Sequence, residues 1–248
     1  MAATPLEQFE IISIIPITLG SIDISFTNST FYMLLASSTI VSIFLMSLFN
    51  STIIPNRWQS FIELAYDFVL NLVNENVGPK GLQYFPFIFV TFMFLLVCNL
   101  LGMVPYSFTV TSHIIVTFGL SLSMFIGLTI IGFKHHGMHF FSFFMPPGAP
   151  IGIAPLLIPI ELISYISRAF SLAIRLFANM MSGHTLFKIL AGFSWTMLSM
   201  GGVVYLAGFL PILILAVLTA LELGIAMLQA YVFTILLVIY LSDSIHLH

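Results

Sequence analysis

Residues 171–184 read SLAIRLFANMMSGH, an apolar run with Arg175 inside it and His184 at its end. Arg168 stands one heptad before Arg175, and Glu161 one heptad before that. Seven residues along an α-helix return to within about 20° of the same direction, so Glu161, Arg168 and Arg175 share one face. The residues around them suit hydrocarbon, where a fixed charge is costly. Ionisable groups in such a setting face a bundle interior or a water path.

The rest of the chain is the same kind of material. Of its 248 residues 60% are hydrophobic and 6% charged, against roughly 25% charged in a soluble domain; mean hydropathy is +1.14. The composition is that of an integral membrane protein. The net charge of −3 is thinly spread, with no basic tract for nucleic acid. Cys98 is the only cysteine, which excludes an internal disulfide and a cysteine-cluster metal site. The start, MAATPLEQFE, carries acids where a signal or transit peptide carries basic residues. That suits synthesis in the compartment where the protein works.

A spanning helix needs about 20 apolar residues. The first span is expected over 31–49. Residues 57–77 follow Pro55 and read as an amphipathic surface helix, with Trp58, Phe61, Ala65, Phe68 and Leu72 on one stripe and Gln59, Glu63, Asp67 and Asn74 opposite. Spans over 85–101 and 111–133 come next, divided by Gly102, Pro105 and Ser107. Residues 134–159 are a Pro/Gly-rich connection. Two long runs end the chain, 160–193 and 203–241, separated by Gly201-Gly202. As single helices they would be roughly 50 to 60 Å long against about 30 Å of hydrocarbon, so each is expected to tilt. The fold class is all-α integral membrane, one domain over 1–248, with no internal repeat.

The second long run carries Glu222 and Gln229 one heptad apart, and Asp243 two heptads later. If the runs pack as an antiparallel hairpin turning near Gly201-Gly202, one register sets Arg175 opposite Gln229, Glu161 opposite Asp243 and His184 opposite Glu222. A carboxylate pair can share or pass a proton, and a histidine–carboxylate pair can do so near neutral pH. An arginine does not let its proton go. The ends of the hairpin can therefore carry protons while its middle blocks them. A carboxylate brought within about 4 to 6 Å of the arginine is driven to release its proton, and no acid on this chain takes that place. A partner is implied. Ala216, Ala220 and Gly224 on one run, and Ser164, Ser171, Ala178 and Ser182 near the arginine face of the other, are small enough for another helix to pass closely.

SLAIRLFANMMSGH, together with LELGIAMLQAYVFTILLVIYL, PLEQFEI, YDFVLNLV, NLLGMVPYSFTVTSH and SDSIHLH, resembles subunit a of the F-type ATP synthase in its mitochondrial form. The likeness runs along essentially the whole chain. It implies a multi-pass protein of the mitochondrial inner membrane, a non-catalytic stator subunit beside a rotating ring of c subunits, coupling proton translocation to rotary ATP synthesis. Arg175 matches the arginine that meets the ring's midspan carboxylate and prevents short-circuit. His184 and Glu222 match the half-channel open to the intermembrane space, with Asn179 and Gln229 as polar neighbours. Glu161 and Asp243 match the matrix half-channel, and Arg168 a second arginine beside it. Other membrane subunits, the peripheral stalk and lipids are the further partners; no cofactor and no metal is implied.

Other readings stand beside these. Arg168 has an equally weighted structural reading as an ion pair to Glu161, a neighbouring subunit or lipid. Glu63 and Asp67 read as a solvated face, and His246 and His248 as interface residues. His135, His136 and His139 invite a metal reading, but a membrane di-iron enzyme needs several such boxes. H-E-x-x-H, G-x-S-x-G and Walker patterns are absent from the sequence. A proton-coupled secondary transporter is the alternative function; it normally shows internal repeats and broken midplane helices.

Overall fold

The computed structural model describes residues 6–19, 22–49, 51–104, 107–137, 140 and 154–245. The Pro/Gly-rich connection is therefore described only at its two ends and at Phe140, and Pro105, His139, His246 and His248 lie outside the described residues. The chain is an all-α membrane protein with a small strand element at its start. Short strands β1 (Ser13–Ile15), β2 (Thr18–Leu19), β3 (Ile22–Asp23) and β4 (Phe26–Thr27) form two antiparallel ladders, β1 with β4 and β2 with β3. Helices follow: α1 (Asn28–Phe49), α2 (Arg57–Asn76), α3 (Phe85–Gly102), α4 (Ile114–His136), α5 (Ala154–Met200), α6 (Gly202–Ala207) and α7 (Phe209–Ile245). Five helical stretches, Asn28–Phe49, Pro79–Gly102, Ile114–His136, Pro155–Met200 and Phe209–Ile245, are long and apolar enough to cross a membrane.

Local chemistry sets the ends of these helices. Asn28 ties the ladder to α1: its Oδ1 accepts from the Ser29 N–H at 2.9 Å, and its Nδ2 donates to the Glu10 carbonyl at 3.0 Å. The Ser107 hydroxyl reaches back to the carbonyls of Leu101 (2.6 Å) and Val104 (2.7 Å) just past α3, satisfying groups a helix end leaves open. α5 starts earlier than the apolar run alone suggests and takes in Pro155 and Pro159. Pro155 falls in the first turn, where no N–H bond is lost. At 47 residues α5 is roughly 70 Å long, more than twice the hydrocarbon thickness. Gly201 and Gly202, at φ +72° and +64°, make the turn after it; L side chains rarely adopt that conformation.

The chain divides into two compact units. One comprises Met1–Thr39, Leu95–His113 and Leu176–Ala230. Its interior includes Ala36, Leu95, Cys98, Asn99, Leu176, Met180 and Ala226. Fully buried Asn99 donates from Nδ2 to the Ala226 carbonyl of α7 at 3.2 Å. Close to the α5–α6 turn, Ser194 donates to the Gly208 carbonyl at 3.3 Å. A Cβ on Gly208 would meet Leu198 at 3.0 Å, so glycine permits that approach.

The other unit comprises Ile40–Phe94, Ile114–Arg175 and Tyr231–His248. Val69, Val73, Ile88, Met93, Ala173, Phe233 and Val238 are buried in it. The Ser121 hydroxyl of α4 donates to the Ala169 carbonyl of α5 at 2.6 Å, an interhelical bond of the kind that holds membrane helices together. In this unit α2 buries Ile62, Val69, Leu72 and Val73, one edge of its apolar arc, while Trp58, Phe61 and Phe68 remain exposed. The aliphatic seam goes inward because the residues after α2 close tightly on it. A Cβ on Gly81 would lie 2.7 Å from Val77 and 3.2 Å from Val73. The aromatics fit along the flank instead, Phe68 against Phe92 (5.8 Å) and Tyr231 (5.7 Å), and Tyr66 against Phe85 (4.7 Å). Glu63 and Asp67 are exposed.

Candidate functional site

The polar residues of α5 and α7 form two clusters, one within each unit. In the first unit the Asn179 Nδ2 donates to the Gln229 Oε1 at 3.0 Å. Gln229 is buried, on the inward side of α7. Further along, the Glu222 carboxylate fills the space that Gly183 leaves open, and a Cβ at 183 would overlap it. His184, the next residue, is half-buried. Its Nε2 has no hydrogen-bond partner among the described residues, and its ring meets Phe187 edge-on at 6.3 Å.

Beside this cluster lies an open cavity of about 1060 Å³. Its lining includes Gln8, Ser107, His184, Lys188, Thr219 and Leu223. One water needs about 10–15 Å³, so the cavity is large enough to hold water beside the imidazole. Its walls are mostly apolar, and polar groups occur at intervals. Lys188, one helical turn after His184, was open to detection by spacing. Gln8 is brought in by the fold of the N-terminal segment, and nothing in its sequence neighbourhood marks it.

The second unit holds the other cluster. Arg168 lies 3.4 Å from Asp243 and 3.9 Å from Glu161, with all three side chains partly exposed. Its guanidinium carbon stands 5.8 Å from the centre of the Tyr165 ring and 5.3 Å from that of Tyr240. The expected carboxylate pair is thus bridged: Asp243 meets the arginine, and Glu161 meets it from the same helix one heptad away. Arg175 is exposed. Arg168 thus makes two ion pairs, and among the described residues Arg175 makes none.

The contacts are offset from the facing positions that the constant register expects. Gln229 bonds Asn179, one turn beyond Arg175, and Asp243 meets Arg168, one heptad beyond Glu161. Side chains on a helix lean toward its N-terminus. On antiparallel helices they lean in opposite directions, so long side chains that touch have Cα atoms displaced toward both C-termini. Where one partner is a glycine, as at Gly183 and Glu222, the offset is smallest.

The exposed face of α5 carries Ser164, Ser171, Arg175, Ala178 and Ser182, and that of α7 carries Ala216, Ala220 and Gly224. Nothing lies within 4 Å of a Cβ built on Gly224. His135 and His136 do not converge: His135 bonds the Tyr84 hydroxyl at 2.9 Å, and His136 the Ile245 carbonyl at 3.1 Å.

A sequence model of one protein family, described as "ATP synthase A chain", matches residues 30–242. Among curated proteins the chain is 60% identical to the ATP synthase subunit a of Marchantia polymorpha, over all of both chains. It is 56% identical to that of Brassica napus, covering 100% of this chain and 98% of the relative. It is 52% identical to that of Chondrus crispus, covering 99% of this chain and 97% of the relative.

Proposed function

This chain belongs to the ATP synthase A chain family, and we propose that its α5–α7 pair forms two proton half-paths on either side of one fixed charge. His184 and Glu222, with Asn179 and Gln229, take protons from the intermembrane space through the cavity. Glu161 and Asp243, with Arg168, release them toward the matrix. Arg175 meets the midspan carboxylate of a rotating ring of c subunits, drives off its proton and keeps the two paths apart. The chain works as one membrane unit, a stator without catalysis of its own, in the mitochondrial inner membrane. Other membrane subunits, the peripheral stalk and lipids adjoin it.

The observation that carries this reading is Arg175: an exposed, permanently charged residue with no ion pair among the described residues, on a face of small side chains. An unneutralised arginine in a span costs several kcal/mol, roughly, unless a partner answers it. The small residues leave room for that partner to approach and move past. A leak around the arginine would dissipate about 2.3 kcal/mol for each charge crossing 100 mV, which explains why a group that never gives up its proton stands there.

The test is proton-driven ATP synthesis by the intact complex in vesicles. Arg175→Ala abolishes it; synthesis that survives the substitution overturns the proposal. Cysteines at Ser171, Ala178 or Ser182 should cross-link to a ring subunit, and their failure to do so while the complex is assembled would remove the rotor interface.

A further inference from the structure

We propose that Tyr240, backed by Tyr165, is a positioning residue for proton release: the two rings hold the Arg168 guanidinium in one place between Glu161 and Asp243. This deepens the release-path reading above and rests on it. Both ring centres lie within the roughly 6 Å at which a cation is attracted to an aromatic face, Tyr240 at 5.3 Å and Tyr165 at 5.8 Å. Each tyrosine stands three residues before a member of the charged group, Tyr165 before Arg168 on α5 and Tyr240 before Asp243 on α7. That spacing puts each on its partner's face of the helix.

Tyr165 is itself fixed from α4. Its hydroxyl lies 3.0 Å from the Thr129 hydroxyl, and its ring packs on Phe125 at 4.6 Å and meets Phe140 at 6.4 Å. One aromatic face is thus built into the helix wall, and the other belongs to the helix that carries Asp243.

Both ion pairs of Arg168 are long. At 3.4 and 3.9 Å, with side chains a quarter to a third exposed, they are of the kind that contributes little to ordering a long side chain. The rings supply what is missing. A guanidinium held between both carboxylates gives each the same counter-charge throughout the cycle. A free one would settle on a single carboxylate and take it out of the relay. Tyr165, Arg168, Tyr240 and Asp243 also border a cleft of about 10 Å³, close to the least that holds one water, so the charge is fixed beside a place a proton carrier can occupy.

The experiment measures proton flux through the intact complex in vesicles under an imposed potential, with assembly followed on native gels. Tyr240→Phe keeps the ring face and should stay within about twofold of the parent, whereas Tyr240→Leu should lower flux about fivefold, the factor an ordinary cation–π contact corresponds to. In an Arg168→Gln background Tyr240→Leu should add nothing, because the group it positions is gone. Parent-like flux in Tyr240→Leu, an equal loss in Tyr240→Phe, or a full further fivefold loss in the double variant each overturns the clamp. Unchanged flux in assembled Arg168→Gln would instead overturn the release-path reading beneath it. If Tyr240→Leu does not assemble, Tyr240→Met, which has no ring, carries the same expectation.

Discussion

Gly183 gives the sharpest handle on the proposed role of Glu222 and His184. The Glu222 carboxylate occupies the volume a Cβ would take, so Gly183→Ala forces that carboxylate away from its place against α5. Two opposing effects enter. Replacing glycine by alanine inside a helix favours folding by about 0.5–1 kcal/mol, and overfilling a packed site costs about 1–3 kcal/mol. Glu222 is only half-buried and can swing outward, so the net loss of stability should stay near 1 kcal/mol and the complex should assemble. Flux responds more strongly. Proton transfer needs heavy atoms within about 2.6–3.2 Å, directly or through one water, and one rotamer step changes which groups the carboxylate can reach. A tenfold drop in proton flux, equivalent to about 1.4 kcal/mol on the barrier, is the least expected. Gly119→Ala in α4 is the control, because nothing lies within 4 Å of a Cβ there, and it should leave flux and assembly intact. Flux would be measured in vesicles beside a native gel. A Gly183→Ala complex that assembles and conducts like the parent would refute the placement of Glu222.

Other outcomes follow from single contacts. Asn179→Ala and Gln229→Ala should each cost about 1 kcal/mol of thermal stability, and the double variant less than the sum, since both remove the same 3.0 Å bond; full additivity in a melting assay would disprove the pair. Asn99→Leu should cost less than about 1 kcal/mol, because it removes one bond to Ala226 and a buried Oδ1 that has no partner; a loss of several kcal/mol would show that this oxygen is satisfied. Ser121→Ala should cost about 0.6–1 kcal/mol, the usual worth of an interhelical bond in a membrane, read from the melting midpoint. Burial holds His113, outside the spans and stacked on Phe108 at 5.0 Å, below the ordinary histidine range. Below pH 6.5 the unfolded chain then binds the extra proton more readily, so stability is full above that pH and falls as acid is added. His113→Phe should flatten the melting midpoint between pH 7 and 5, and an unchanged slope would rule out this source.

Much of the architecture was legible because it is written in short stretches of chain. Apolar run lengths marked five spans, and the heptads Glu161–Arg168–Arg175 and Glu222–Gln229 were visible as helix faces without any neighbour in place. The periodicity of α2 found the apolar arc but not which edge of it packs within the chain; Val73, Val77 and Gly81 decided that. The register misled by up to two turns because it matched Cα positions, whereas long side chains meet where their tips arrive.

By itself, then, the sequence determined that this is a predominantly helical membrane chain, and that Arg175 puts a fixed charge inside an apolar run with other ionisable residues at heptad spacing. These follow from solvation and helical period, which act over a few residues. Only the tertiary structure decided that Asn179 is the partner of Gln229, that Arg168 bridges the carboxylates under two tyrosine rings, and that Gln8 and Lys188 line the cavity at His184. Those depend on how side chains of different length lean and interlock between elements far apart in the chain, and no local pattern carries that information.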